Sequence, residues 1–392
     1  MQGSNKPLLI DARFAGKLFS TGFLQLRPLD GVLDAQYLRH FVASQDFLSQ
    51  RDALATGSTQ IALTDAGARQ LTIPIAPLNE QRRIVAKLEK LLGKVETSEQ
   101  RLTKIPVLLK RFRQSVLAAA CSGQLTADWR QDNIADSYSS ITVKSIAEYV
   151  GGFAYKSTSF LDAGKHQVIR IGNVRPMAIK LEASPVFIPD QLAKKTQRFN
   201  LMHGDIVLSM TGTKYKHDYG FAAMVPDVDR SLFLNQRVAR IRCGKSVLPK
   251  FLLYWFQTDR FRDFFFSGET GNVNQGNVGA DGIRNALIEL PPLVEQEEII
   301  RRVEELFALA DQIEARYAKA KAYIDKLTQS ILAKAFRGEL VPQDPNDEPA
   351  SALLERIRQQ RNGENQTNNA RKTTKRTNAP KRRRTPPRRA NA

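Results

Sequence analysis

The side chains with the most recognition chemistry to offer lie between residues 150 and 240. Lys156 and Ser157 follow a pair of glycines. Arg170, Asn173 and Arg175 sit in and just after the run IRIGNV. Lys214, Tyr215 and Lys216 interleave within the polar stretch TGTKYKHDYG (Thr211–Gly220), and Asn235, Gln236 and Arg237 lead into a β-branched run. A carboxamide offers a donor and an acceptor side by side, which suits the edge of adenine. A guanidinium suits guanine or a phosphate, and Lys or Ser suits phosphate. Each has a quieter reading as well. Asn235 and Gln236 can satisfy local backbone groups, and Lys214 and Lys216 can simply be solvated.

Catalytic patterns are absent from the sequence. There is no GxxxxGK[ST] loop for a nucleoside triphosphate, no GxSxG elbow and no HExxH. Nor is there a Gly-rich turn paired with an NPPY-like or DPPY-like motif. Cys121 and Cys243 are the only cysteines, and His40, His166, His203 and His217 are scattered, so neither a disulfide framework nor a structural zinc site is expected. Gly204-Asp205 reads as a structural turn, since a lone carboxylate is a poor magnesium site. The expectation is a binding protein without a metal or cofactor of its own.

The charge agrees with an anionic partner. The chain carries a net +19; residues 362–392 hold ten Lys/Arg and one Glu, +9, which leaves +10 for residues 1–361. A polyanion such as nucleic acid is the natural counterpart. The tail, with KRRRTPPRR (Lys381–Arg389), has too few apolar side chains to fold and reads as disordered, able to add sequence-independent phosphate contacts or to be dispensable. No apolar run approaches the roughly 20 residues of a membrane span, and Met1–Asp11 lacks signal-peptide order, so a cytoplasmic location is expected.

An internal repeat supplies the elements that position these side chains. Residues 77–125 align with 292–340 at a constant offset of 215, with 17 identities in 49 positions where chance gives about three. PLNEQRRIVAKLEKLL opens one copy and PLVEQEEIIRRVEELF the other; QSVLAAACSGQL and QSILAKAFRGEL close them. Apolar residues recur in alternating steps of four and three. One row is Ile84, Leu88, Leu91, Val95, Ser98, Leu102, Ile105, Leu109, Phe112 and Val116. The other is Ile299, Val303, Leu306, Ala310, Ile313, Tyr317, Ala320, Ile324, Leu327 and Ile331. Such a row is the seam of a coiled coil. A helix that buries one stripe needs a partner, and the other copy is the candidate. Ser98 interrupts the first row, Pro106 should kink or break it, and Gly123 and Gly338 are plausible stops.

Between the copies, residues 141–291 mix strand-like runs (Val168–Val174, Gly204–Met210, Phe221–Val225, Arg237–Cys243) with a helix at Leu248–Phe266. The aromatics Phe251, Tyr254, Trp255 and Phe256 fall at helical spacing and read as core rather than as a base-stacking platform. Residues 22–47 echo only the end of this domain, Ala239–Phe261. The chain thus divides into a partial domain (1–76), a helical region (77–140), a whole domain (141–291), a second helical region (292–361) and the tail (362–392). The expected fold class is α+β, with mixed domains alternating with two long helices paired as an antiparallel coiled coil.

The PLxEQ openings at Pro77 and Pro292, the QSxLxxAxxGxL endings at Gln114 and Gln329, and the elements GGFAYKS, IRIGNV, GDIVLSMTG and LNQRVARI, in this order and duplicated, resemble the specificity subunit of type I restriction–modification systems. The resemblance covers about residues 22–345. It implies target recognition domains that each read half of a bipartite double-stranded DNA sequence, and paired helices that fix the gap between the halves. It also implies docking of modification (methyltransferase) and restriction (nuclease/translocase) subunits, which would hold the S-adenosylmethionine, ATP and Mg²⁺. The subunit itself would be non-catalytic. A family member would have about 75 more residues in its first recognition domain, so the resemblance suggests a chain that starts inside it, as a fragment, a mis-started reading or a half-type subunit. Other classes are a coiled-coil interaction protein without DNA readout, a non-functional fragment of the subunit, or a restriction–methylation polypeptide that has lost its catalytic domain.

Overall fold

The computed structural model describes residues 7–14, 16–20, 23–56, 62–133, 138–272 and 274–359. The basic tail therefore lies outside the described residues. The fold is α+β and separates into two compact units: Met1–Leu102 with Ala318–Ala392, and Thr103–Tyr317.

The repeat is reproduced residue for residue in the helices. Leu78–Leu102 and Leu293–Phe336 begin at positions 215 apart, and Ile105–Cys121 ends 215 before Phe336. The first copy breaks between Leu102 and Ile105 because Pro106 occupies the opening turn of a new helix. The second copy has Lys321 at that position and runs unbroken for 44 residues. Both copies stop at a left-handed glycine, Gly123 at φ 77° and Gly338 at φ 76°.

Within each unit the helices pack antiparallel. In the first, Ile84, Leu88 and Val95 share a core with Ile331, Leu332, Ala335 and Phe336. In the second, Val116, Leu117, Ala120 and Cys121 share one with Ile299 and Val303, and Arg113 Nη2 donates to Asp311 (2.6 Å) and Glu314 (2.9 Å). The seam is not sealed throughout. Ile313 is 38% exposed; off the seam, Val107 and Leu108 in the opening turn of the Ile105–Cys121 helix are more exposed still.

The PLxEQ glutamines have a structural task. Gln296 is fully buried; its Oε1 accepts from Leu248 N (2.8 Å), and its Nε2 donates to Ser246 O (3.1 Å) and Pro291 O (2.8 Å). Gln81 repeats this, accepting from Asp34 N (2.8 Å) and donating to Val32 O (2.9 Å) and Ala76 O (2.8 Å). In each unit the glutamine ties the long helix to the residue that opens a shorter one, Pro249–Phe256 or Ala35–Val42.

In the second unit, strands Ser139–Thr142 and Leu287–Leu290 pair antiparallel and bring the ends of the mixed domain together. Four antiparallel strands form the main sheet in the order Ala147–Gly151, Val238–Cys243, Ile206–Ser209, Ala222–Met224. A second sheet joins His166–Ile169 in parallel to Ser231–Leu234, with Asn200–Leu201 on the other side. A third joins the hairpin Glu269–Asn272/Gln275–Val278 to Thr211–Gly212. The aromatic stretch is two helices, Pro249–Phe256 and Asp259–Ser267, because the Thr258 hydroxyl caps the second by accepting from Phe261 N (3.3 Å). Phe251, Tyr254, Trp255 and Phe256 are all buried.

Two expected strands are not continuous strands. Val168–Val174 leaves the strand after Ile169 and turns through a 3₁₀ helix at Ile171–Asn173. In the first unit, residues 23–29 form no strand and expose Phe23 and Leu24. The matching strand Val238–Cys243 is hydrogen-bonded on both edges, and among the described residues no equivalent neighbours pair with 23–29.

Candidate DNA interface

Three arginines converge on the surface of the second unit. Arg170 precedes the 3₁₀ turn, and its Nη2 donates to Ser184 O (2.7 Å). Asn173 builds that turn: its Oδ1 accepts from Arg170 N (2.9 Å) and its Nδ2 donates to Lys180 O (3.0 Å) and Ala183 O (2.9 Å). Arg175 is exposed beside a tight turn, Val174–Arg175 against Ala178–Ile179, whose apex Met177 has φ 63°. Arg237 is exposed after Asn235, whose Oδ1 accepts from Arg237 N (3.4 Å). A cleft of about 550 Å³ has Arg170, Arg175, Asn235 and Arg237 on its walls. An adjoining cleft of about 380 Å³ shares Arg175 and Arg237 and adds Thr213, Asp218, Asn274 and Gln275.

The loop Thr211–Gly220 stands beside the second cleft in a strained conformation. Tyr215 has φ 65° and His217 φ 50°, left-handed values that are uncommon outside glycine and concentrate at functional sites. Several interactions hold it. Arg262, whose guanidinium is made less basic by burial, donates to His217 O, Tyr219 O and Gly220 O. The His217 ring stacks on Phe266 at 3.9 Å and 7°. Asp218 Oδ1 accepts from Thr213 N (2.7 Å), and hydrogen bonds from Thr213 keep that carboxyl below its usual range. Lys214 Nζ donates to Gly271 O (2.9 Å), while the Tyr215 side chain is 76% exposed.

The structure thus brings Arg170, Arg175, Asn235 and Arg237 together. Lys156 and Ser157 are exposed at a short 3₁₀ turn outside the walls of either cleft. Lys214, Tyr215, Lys216 and Gln236 also lie outside those walls. Asn173 reaches a cleft wall but is 1% exposed with its amide fully engaged, so it holds the loop and has no group left for a base. The glycine pair before Lys156 serves a close crossing: a Cβ on Gly152 would lie 2.0 Å from Asn235 O. Asp205 is likewise structural, accepting from Met202 N and bidentately from Arg242 at 2.7 Å. Among the described residues no group of three or more His, Cys, Asp or Glu is placed to hold a metal ion, and no helix is long and apolar enough to cross a membrane.

Sequence reasoning missed Asn274, Gln275 and Arg262. The polar run TGNVNQGN carries no periodicity, and its only signal is an excess of Asn and Gln between two glycines. Arg262 lies within an aromatic helix and gives no sign that it grips a loop some 45 residues earlier.

Residues 10–107 and 136–321 match the family described as type I restriction modification DNA specificity domain. The EcoKI specificity subunit of Escherichia coli (strain K12) is 32% identical over 350 residues, covering 86% of this chain and 74% of that protein. The StySPI specificity subunit of Salmonella potsdam is 31% identical over 355 residues, covering 86% and 73%. The fold is similar to the HsdS subunit from Thermoanaerobacter tengcongensis, with a TM-score of 0.50 at 19% identity over 79% of this chain and 71% of that one. It is also similar to a chain of a type I restriction–modification system, with a TM-score of 0.58 at 19% identity over 79% and 72%. The duplicated helices, the mixed domain between them and these matches together mean that the chain belongs to the specificity subunits of type I restriction–modification systems, the DNA-recognition members of those systems.

Proposed function

We propose that the domain between residues 139 and 290 reads one half of a bipartite double-stranded DNA target, and that the helices seat the modification and restriction subunits of the complex. The observation that carries this is the set of three arginines, Arg170, Arg175 and Arg237, on two adjoining clefts beside a strained polar loop. Guanidinium groups on concave, polar walls suit phosphates and guanine edges. Lys156, Ser157, Lys214, Tyr215, Lys216 and Gln236 supply outer contacts in this reading. Methyl transfer and nuclease chemistry, with S-adenosylmethionine, ATP and Mg²⁺, belong to the partner subunits.

The test is a gel-shift series across salt with the assembled modification complex. Arg175→Ala and Arg237→Ala should each weaken binding and reduce the slope of log K against log salt by about 0.9 for each phosphate that is no longer neutralised. Unchanged affinity and slope in both variants would overturn the reading. The helices also set the spacing between half-sites on this view. Deleting one heptad from each copy shortens the helix by about 10.5 Å, so the recognised gap should contract by about three base pairs.

A further inference from the structure

We propose that Asn274 and Gln275 are specificity-determining residues that contact the major-groove edge of adenine in the half-site read by this domain. The inference rests on the DNA reading above and adds two further residues of the cleft that Arg175 and Arg237 line.

The two carboxamides line the same cleft of about 380 Å³ as Arg175 and Arg237. Both residues are exposed, and among the described residues neither side chain makes a hydrogen bond. Two other carboxamides of this face are engaged, the first of them in part. Asn277 Oδ1 accepts from Thr211 Oγ1 (2.8 Å), and Asn173 is held by three backbone groups. Asn274 and Gln275 are therefore carboxamides with donor and acceptor both available on this face.

Gln275 opens a strand that pairs on both sides. The hairpin is the outer part of a three-stranded sheet. Glu269 accepts from Tyr219 Oη (2.7 Å) and from Tyr215 N (3.4 Å), which links the hairpin to the strained loop. A Cβ on Gly276 would lie 2.3 Å from Glu269 Oε1, and Gly271, at φ 114°, would place one 2.2 Å from Gln275 O. At Gly271 the neighbouring atom is backbone and φ is positive, so only glycine fits beside Gln275. A recognition group held this way gives up little entropy on binding.

The chemistry then selects the ligand. A two-stranded β-ribbon fits the major groove, where adenine shows N7 as an acceptor beside the N6 amine as a donor, the complement of a carboxamide. Arg175 and Arg237, on the walls of the same cleft, supply the charge for the backbone that borders that edge.

The experiment uses the full complex of this chain with its modification and restriction partners, expressed in cells, with methylated motifs mapped by single-molecule sequencing of genomic DNA. Asn274→Ala/Gln275→Ala should relax the motif at one or two A·T positions of one half-site. Methylation of sites bearing another base there should rise about ten-fold, with the other half-site unchanged. Gln275→Glu, which turns the group into an acceptor alone, should move preference at one position toward cytosine, whose N4 amine donates. A motif identical to wild type in both variants would overturn the inference. If that result accompanies weakened binding in Arg175→Ala or Arg237→Ala, the DNA reading stands and only the role of the hairpin fails; unchanged binding in both arginine variants removes both. A thermal melt of each variant separates loss of fold from loss of reading.

Discussion

Replacing Gln296 by Ala tests how the repeat holds its domains. The side chain is fully buried and makes three hydrogen bonds, to Leu248 N, Ser246 O and Pro291 O. Truncation orphans one N–H and removes a donor from two carbonyls. A buried group left without its partner costs about 1–3 kcal/mol. The Leu248 N–H bears the full penalty, because Gln296 Oε1 is its one hydrogen-bond acceptor among the described residues. The carbonyls recover part of theirs through a second lone pair. The expected loss is about 3 kcal/mol, a large fraction of the stability of an ordinary domain. Urea denaturation followed by circular dichroism measures it, and hydrogen exchange at Leu248–Leu252 locates it in the first turn of the Pro249–Phe256 helix. The duplication provides the internal control, since Gln81→Ala breaks the same three bonds to Asp34, Val32 and Ala76 and should lose a similar amount. Gln296→Glu should be at least as damaging as Ala, because it keeps the acceptor but sets a charge against two carbonyl oxygens. A loss below about 1 kcal/mol for both alanine variants would refute the argument that these glutamines fasten helix to domain.

Other outcomes follow from the same geometry. Asn173→Ala should lower stability by about 2 kcal/mol through the loss of three buried hydrogen bonds, yet leave the salt slope of DNA binding unchanged; a reduced slope would mean that it touches phosphate after all. Arg301 and then Arg302 draw the Glu298 carboxyl down from 4.5 to about 2. Its folded pKa lies below its unfolded one, so its contribution is complete above about pH 4.5 and fades as pH falls toward 2. The stability gap between wild type and Glu298→Gln should shrink across that window, and a gap independent of pH would contradict the ion pairs. Burial pushes the thiols of Cys121 and Cys243 up to about 12. Ellman's reagent at pH 8 should therefore find no reactive thiol in the native chain and two after denaturation; fast native labelling would refute this burial.

Much of this architecture was legible in one dimension because its causes are local. The offset of 215 carried the helix starts at Leu78 and Leu293, and the two left-handed glycines carried their ends. Pro106 forced a break that Lys321 does not. The spacing of Phe251, Tyr254, Trp255 and Phe256 was enough to place them in the core. Steric rules and helical periodicity act over a few residues, so a sequence states them directly.

The site was legible only in part. Arg170, Arg175, Asn235 and Arg237 were visible in the sequence, but the cleft that Arg175 and Arg237 share with Asn274 and Gln275 was not, because it depends on which strands pair. The hairpin Glu269–Asn272/Gln275–Val278 is tied to this face by pairing with Thr211–Gly212 and by the bond from Tyr219 Oη to Glu269, both partners lying some 50 to 66 residues earlier. The inward turn of Asn173 was equally hidden, since a carboxamide bonds whatever backbone the fold brings near. Residues 23–29 show the converse: they share the character of Val238–Cys243 yet form no strand, because a strand exists by hydrogen bonds to neighbours that its own residues do not specify. Composition and period thus determined the helices and the core, and tertiary pairing alone decided which side chains share a cleft.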